Sequence, residues 1–250
     1  MDFETVAALH RAYKQVTVDP EIHPEDTMYR TGKEHYTYVG ESAVDIILSA
    51  LALSWVTEVN RILDMACGHG RVARHLRAAF PKAELFFCDL DAGAADFCAD
   101  RFRGTSIPSV EKLTAVPLPE KLDLIWVGSL FTHIDRVRTA DWLSHLVQHL
   151  RTNGILVGTF HGYFTEKVTT FGDRIDKDKL SHDFLTTGYG YCCYKGWNDY
   201  GVSLSKPSAV LDIAGSIPGT KVLSYTERGW ANNHDVLALA KTDRLKPWGS

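Results

Sequence analysis

Four residues in a fixed order, Asp64, Gly68, Gly70 and Asp89, hold the clearest chemical signal in this chain. They belong to the stretch Ile62-Leu-Asp-Met-Ala-Cys-Gly-His-Gly-Arg-Val-Ala73 and the apolar run after it. A buried strand ending near Asp64 would lead into a glycine turn and then a helix. Glycines there let the backbone bend sharply and approach a ligand with no Cβ in the way. Asp89 follows Gly70 by 19 residues, at the end of the next apolar run. An acid in that place accepts hydrogen bonds from the ribose of an adenosine-type cofactor. The plain alternative is a tight strand–helix turn with a solvent-facing aspartate. Gly68-His-Gly-Arg-Val-Ala73 also satisfies the dinucleotide pattern. Asp64, four residues ahead of Gly68, argues against it, because its charge would repel a pyrophosphate and suits an ammonium group instead. An NAD-dependent oxidoreductase is therefore disfavoured.

Histidines supply candidate bases, since imidazole titrates nearest neutrality. His133 is expected just past a fourth strand and His161 at the tip of a fifth, where the crevice of a doubly wound sheet opens. Each is either a general base or a loop residue capping a backbone group, and His161 ranks first because Gly162 leaves room beside it. His69 and His75 flank the glycine turn and read as structural or cofactor-adjacent, and His234-Asp235 precedes the last strand. No three or four of these residues show metal-ligand spacing, so no metal is expected. The aromatic segment Tyr189-Gly-Tyr-Cys-Cys-Tyr-Lys-Gly-Trp197, with Tyr200, suits stacking on a sugar ring, or equally a satellite core under a long loop.

The elements that must position these residues follow from hydrophobic periodicity. Strands are expected at Arg61–Met65, Glu84–Cys88, Val110–Leu113, Leu122–Val127 and Ile155–Phe160. Helices are expected near Val72–Ala79, Ala92–Phe102 and Arg138–Leu150, the last stopped by Asn153-Gly154. Upstream, apolar spacing marks a helix over Asp2 to Lys14, and Ser42-Ala-Val-Asp45 reads as a capping box opening a helix to Leu53. Downstream, Ser208–Ala214 reads as a helix, and Lys221–Thr226 with Val236–Lys241 as an antiparallel hairpin. Alternating strands and crossover helices specify a parallel sheet covered on both faces. The expected architecture is α/β, Rossmann-like and doubly wound, with about seven strands and an antiparallel last strand. An N-terminal helical flap over 1–57, a main domain over 58–241 with an inserted cap near 162–205, and a tail over 242–250 complete it.

Composition narrows the classes. The chain has 250 residues, 45% of them hydrophobic, with 27 basic and 31 acidic side chains and a net charge of −4. There is no basic excess, so no nucleic-acid partner is expected. The longest apolar run, Ile46 to Val56, is short of the roughly 20 residues a membrane helix needs. The first turn carries Asp2 and Glu4, so no signal peptide is expected. The five cysteines lack zinc spacing and fit a reducing cytoplasm; Cys192-Cys193 is either redox-active or packing.

The acidic-then-glycine order of Asp64-Met-Ala66-Cys-Gly68-His-Gly70 resembles the first motif of class I S-adenosylmethionine-dependent methyltransferases, with alanine where that family often has glycine. Cys88-Asp89-Leu90-Asp91 resembles its ribose site. Gly128-Ser129-Leu-Phe-Thr-His133 and Thr159-Phe-His161-Gly162 are similar to its loops after strands four and five. Tyr29, Tyr36 and Tyr38, with Gly32 and Gly40, resemble its N-terminal flap. With the ending Gly229-Trp-Ala-Asn-Asn-His234-Asp235-Val, these segments resemble a bacterial group associated with glycosyltransferases in polysaccharide clusters. The resemblance implies S-adenosyl-L-methionine as cofactor, held by Asp64, Ala66, Gly68, Gly70, Asp89, Leu90, Gly128 and Ser129. It implies O-methylation of a sugar hydroxyl of a bacterial glycan or precursor, and a glycosyltransferase partner or fusion. N- or O-methylation of a small metabolite, and a non-catalytic cofactor-binding scaffold, remain open, as does the oligomeric state.

Overall fold

The computed structural model describes residues 1–110, 112–169 and 171–243. Five strands, β1 (Arg61–Met65), β2 (Glu84–Asp89), β3 (Thr105–Pro108), β4 (Leu122–Val127) and β5 (Leu150–Phe160), run parallel. Two more follow late in the chain, β8 (Thr220–Trp230) and β9 (His234–Lys241), numbered after the cap pair β6 (Tyr189–Cys193) and β7 (Gly201–Ser205). The seven-stranded order is β3-β2-β1-β4-β5-β9-β8, with β9 antiparallel to both neighbours. The order reverses between β1 and β4. Ligands bind outside the carboxyl ends of strands at such a switch point.

Alternation along each central strand builds two cores. Ile62, Phe87, Leu124 and Trp126 face one side, with helices α2 (Lys33–Ala52), α3 (Ala73–Ala79) and α4 (Ala92–Phe102) packed over them. Leu63, Phe86, Ile125 and Leu156 face the other, under α5 (Arg136–His149) and α8 (Pro207–Ser216). Strands buried on both faces are predominantly apolar, and β4 is buried at every position, with Asp123 its one charged residue. Between β5 and α8 lies an insertion of α6 (Tyr163–Val168), α7 (Lys177–Thr187) and the β6–β7 hairpin, with its own core of Phe171, Leu180, Phe184 and Leu204. An N-terminal helix α1 (Phe3–Tyr13) packs near α2 and α3, and the Tyr13 hydroxyl lies 2.7 Å from His75 Nδ1.

Three element expectations need correction. The helix expected to open at Ser42 begins at Lys33. Tyr36, Val39, Gly40 and Ala43 extend the buried stripe backwards, and the Ser42 hydroxyl donates to the Val39 carbonyl in mid-helix. The third strand lies at Thr105–Pro108, not Val110–Leu113. Of that segment, Glu111 is outside the described residues and Leu113 opens a short 3-10 helix packed on the second core. Asn153-Gly154 does not stop α5, which ends at His149. Asn153, at φ +64°, instead marks an irregularity within β5, where the pairing with β4 shifts register. Of the expected tail, residues 244–250 lie outside the described residues.

Candidate active site

The carboxyl ends of β1, β2 and β4 open into a crevice of about 390 Å³. Its floor is built by backbone that most residues resist. Ala66 (φ +61°) and Gly68 (φ +49°) both sit in the left-handed region, and the Ala66 N–H donates to the Cys88 carbonyl. A Cβ built on Gly68 would meet nothing within 4 Å, so the turn leaves open space there. Gly70 is different. Its missing side chain would lie 2.4 Å from the Phe102 ring, and it does not line the crevice, so its role is to let α4 close on the turn.

Asp64, Ala66, Gly68, Asp89, Leu90, Gly128 and Ser129 all line the crevice. Asp89 Oδ2 accepts the Gly68 N–H at 2.8 Å, and Oδ1 accepts the Asp91 N–H at 3.0 Å. These bonds aim the carboxylate across the turn. The Ser129 N–H donates to Thr159 Oγ1, tying the loops after β4 and β5 together. Asp64 is buried, and its Oδ2 has no hydrogen-bond partner. Burial, with the Asp89 charge adding to it, pushes its carboxyl up to about 8. A buried acid with an empty lone pair facing a crevice is completed by a cation.

Arg71 was not singled out by the sequence reasoning. It lines the crevice with its guanidinium 5.5 Å from the centre of the Trp230 ring, and burial lowers its pKa. Among the described residues it has no ion-pair partner. Asp64 and Arg71 thus present one unsatisfied acid and one unsatisfied base to the same crevice. An amino-acid moiety carries both complementary groups. The only sequence signal was a cation immediately after the glycine turn. Trp230, in the C-terminal motif, also walls the crevice and donates its indole N–H to the Val39 carbonyl of α2 at 2.9 Å. Glu25, Asp26, Thr27 and Met28 close the rim from the N-terminal side. The chain leading to them is held by Arg74, which donates to the carbonyls of Asp19 and Glu21.

The two candidate bases separate. His133 lines the crevice, stacked on Tyr200 with ring centres 4.9 Å apart. Its Nδ1 lies 2.7 Å from the Gly201 carbonyl, which can only accept, so Nδ1 carries the proton and Nε2 holds the free lone pair. Burial lowers its pKa, which favours the neutral ring. His161, ranked first from the sequence, does not line the crevice. It is held against His234 at 4.7 Å with Nδ1 buried and unpartnered, and burial pushes it down to about 4. The hairpin strand β7 covers it, for the Ser205 N–H donates to the His161 carbonyl. A strand's carboxyl end names a neighbourhood, not the side to which the side chain turns.

Residues 63–156 match the family model of the methyltransferase domain. That segment runs from within β1 into β5 and contains β2 to β4, the glycine turn, Asp89 and His133. A curated relative, the malonyl-[acyl-carrier protein] O-methyltransferase of Acetivibrio thermocellus, is 24% identical over 149 residues. The match covers 59% of this chain and about half of the relative, 52% of its length. Among solved structures, a sugar N-methyltransferase from Streptoalloteichus superposes with TM-score 0.60 at 13% identity, covering 92% of this chain and 97% of the other. An amino pentose methyltransferase from Micromonospora echinaspora, solved with S-adenosylmethionine bound, superposes with TM-score 0.59 at 15% identity, covering 91% and 100%. The fold is the one that these methyltransferase structures share.

Proposed function

We infer that this protein is an S-adenosylmethionine-dependent methyltransferase that methylates a hydroxyl of a sugar, in a bacterial glycan or its precursor. The observation that carries the hydroxyl acceptor is the tautomer of His133. A hydroxyl is a poor nucleophile until its proton is taken, and an amine neutral at working pH needs no such help. His133 offers an unprotonated Nε2 at the crevice wall.

The residues present fit the cofactor that the fold implies. Asp64 suits its ammonium, Arg71 its carboxylate and Asp89 its ribose, while the open space over Gly68 leaves room for the ligand against the backbone. When bound, S-adenosylmethionine supplies a methyl group on a positively charged sulfur. The protein's own contribution is position and a proton acceptor. Holding two reactants in line lowers a barrier by several kcal/mol. As the acceptor oxygen loses its proton, that proton passes to His133 Nε2, and the Gly201 carbonyl keeps the ring oriented through Nδ1. Trp230 and Tyr200 keep the crevice walls aromatic and narrow the access of water.

Production of S-adenosylhomocysteine is the direct assay, with panels of sugars and amino sugars as acceptors. His133→Gln should lower turnover about 10²- to 10⁴-fold with cofactor affinity nearly unchanged, whereas His161→Gln should stay within about threefold of the parent. A second reading, N-methylation of an amino sugar, takes support from the two structural neighbours, a sugar N-methyltransferase and an amino pentose methyltransferase. It would be favoured if His133→Gln retained full turnover on an amine and hydroxyl acceptors gave none. An association with a glycosyltransferase belongs to the same proposal and rests only on the sequence resemblance.

A further inference from the structure

Beside the crevice lies a second cavity, about 310 Å³, walled by Arg174, Tyr194, Lys195, Trp197 and Tyr200. All five residues come from the insertion between β5 and α8. Tyr200 is the wall common to both cavities, and its other neighbour is His133. The loop between β6 and β7 is closed on itself, for the Tyr194 N–H donates to the Tyr200 carbonyl and the Trp197 N–H to the Tyr194 carbonyl. Tyr194 and Trp197 rings stand 5.4 and 5.6 Å from Tyr200. Trp197 is nevertheless 62% exposed, a large apolar face turned to the solvent at the mouth of a cavity. The Lys195 N–H donates to the Arg174 carbonyl at 2.8 Å, which sets two cationic residues side by side. Arg174 lies over the Tyr194 ring at 5.7 Å, and among the described residues neither cation has an ion-pair partner.

This pairing stands out in a chain whose net charge is −4. Both cations line the same cavity, and an anion bound there could pair with each. An arginine fork and a lysine together suit the oxygens of a phosphate or carboxylate. Indole and phenol rings beside them suit the apolar face of a pyranose.

We propose that this second cavity is the acceptor subsite and that it selects an anionic sugar, its phosphate or carboxylate held by Arg174 and Lys195 and its ring stacked on Trp197. The inference rests on the methyltransferase reading and adds the acceptor's charge class to it. The anion sits at the far end of the cap, the sugar ring crosses Tyr200, and the reacting hydroxyl arrives at His133.

The test is a ligand-observed NMR titration of the full chain loaded with S-adenosylhomocysteine. The probes are inorganic pyrophosphate, glucose 1-phosphate and glucuronate, with neutral methyl glucoside as control. At least one anionic sugar should bind at least tenfold more tightly than methyl glucoside, and whichever of the two binds more tightly names the anion. Arg174→Ala and Lys195→Ala should each weaken that binding about tenfold. Trp197→Ala, a change at an exposed position, should weaken glucose 1-phosphate while leaving pyrophosphate within twofold. Equal binding of charged and neutral sugars, or binding indifferent to removal of both cations, overturns the proposal. Failure to bind S-adenosylhomocysteine strikes the cofactor reading instead, and the anion comparison is then read on the cofactor-free chain by the same criteria.

Discussion

Asp64 should release a proton when the cofactor binds. Its carboxyl is pushed up to about 8, by burial first and the Asp89 charge second. At pH 7 the protonated form therefore outnumbers the ionised form by about tenfold, and about 0.9 proton per site is held. Pairing with an ammonium requires the ionised form, so binding must expel that proton. The cost at pH 7 is one pH unit below the midpoint, about 1.4 kcal/mol or tenfold in affinity. Calorimetry with S-adenosylhomocysteine at pH 7, repeated in buffers of different ionisation enthalpy, reads the proton directly. The slope should report close to one proton released, and the release should vanish in Asp64→Asn. The free protein supplies a second reading with a defined sign. Because the folded pKa lies above the unfolded value near 4, the folded state binds the extra proton between those limits, and stability falls as pH rises through the window. Asp64→Asn should therefore raise the melting temperature of the cofactor-free protein more at pH 8 than at pH 5. A proton count near zero for the parent chain would refute the pairing.

Asp89→Ala removes a charged acceptor worth about 1.5–3 kcal/mol, so cofactor affinity should fall roughly 10- to 150-fold by calorimetry. Arg71→Met should weaken the cofactor by at least about tenfold, because it removes the half-buried guanidinium that would pair with the cofactor carboxylate, read by calorimetry. Gly70→Ala should destabilise the fold by about 1–3 kcal/mol in chemical denaturation, since its Cβ would lie 2.4 Å from Phe102. Gly68→Ala should unfold closer to the parent but lose cofactor binding, since the space over it is open in the free protein.

What the sequence made legible follows from local signals. β1, β2 and β4 are short, mostly buried runs whose apolar majority stands out locally, with charged residues such as Asp64, Asp89 and Asp123 among them. Helix α4 was readable to the residue, from Ala92 to Phe102, because Asp91 caps it by accepting the Ala94 N–H. β3 was misplaced because an edge strand of four residues, two of them Thr105 and Ser106, carries almost no apolar pattern. The start of α2 was hidden because a capping-box pattern also occurs in mid-helix, where Ser42 bonds its own turn. Among the site residues, Asp64 and Asp89 were legible because strand ends fix them. The order of His133 and His161 was not, because the covering strand β7 lies more than 40 residues downstream of His161. Arg71 escaped because nothing local distinguishes a buried guanidinium from a solvated one. The second cavity is assembled where the β6–β7 loop meets Arg174, and no periodicity announces it.

Trp230 also bears on how the protein comes to life on the ribosome. The crevice floor is laid down early, by residues 61–91, yet one wall waits for Trp230, which locks onto Val39 only after the cap and α8 have been made. The strand β9 that completes the sheet must slot between β5 and β8 later still. A nascent chain arrested before this point would hold the glycine turn and both acids with one side open to water. Cofactor capture is thereby coupled to completion of the C-terminal hairpin, so an unfinished chain would compete poorly for the cell's supply of the ligand.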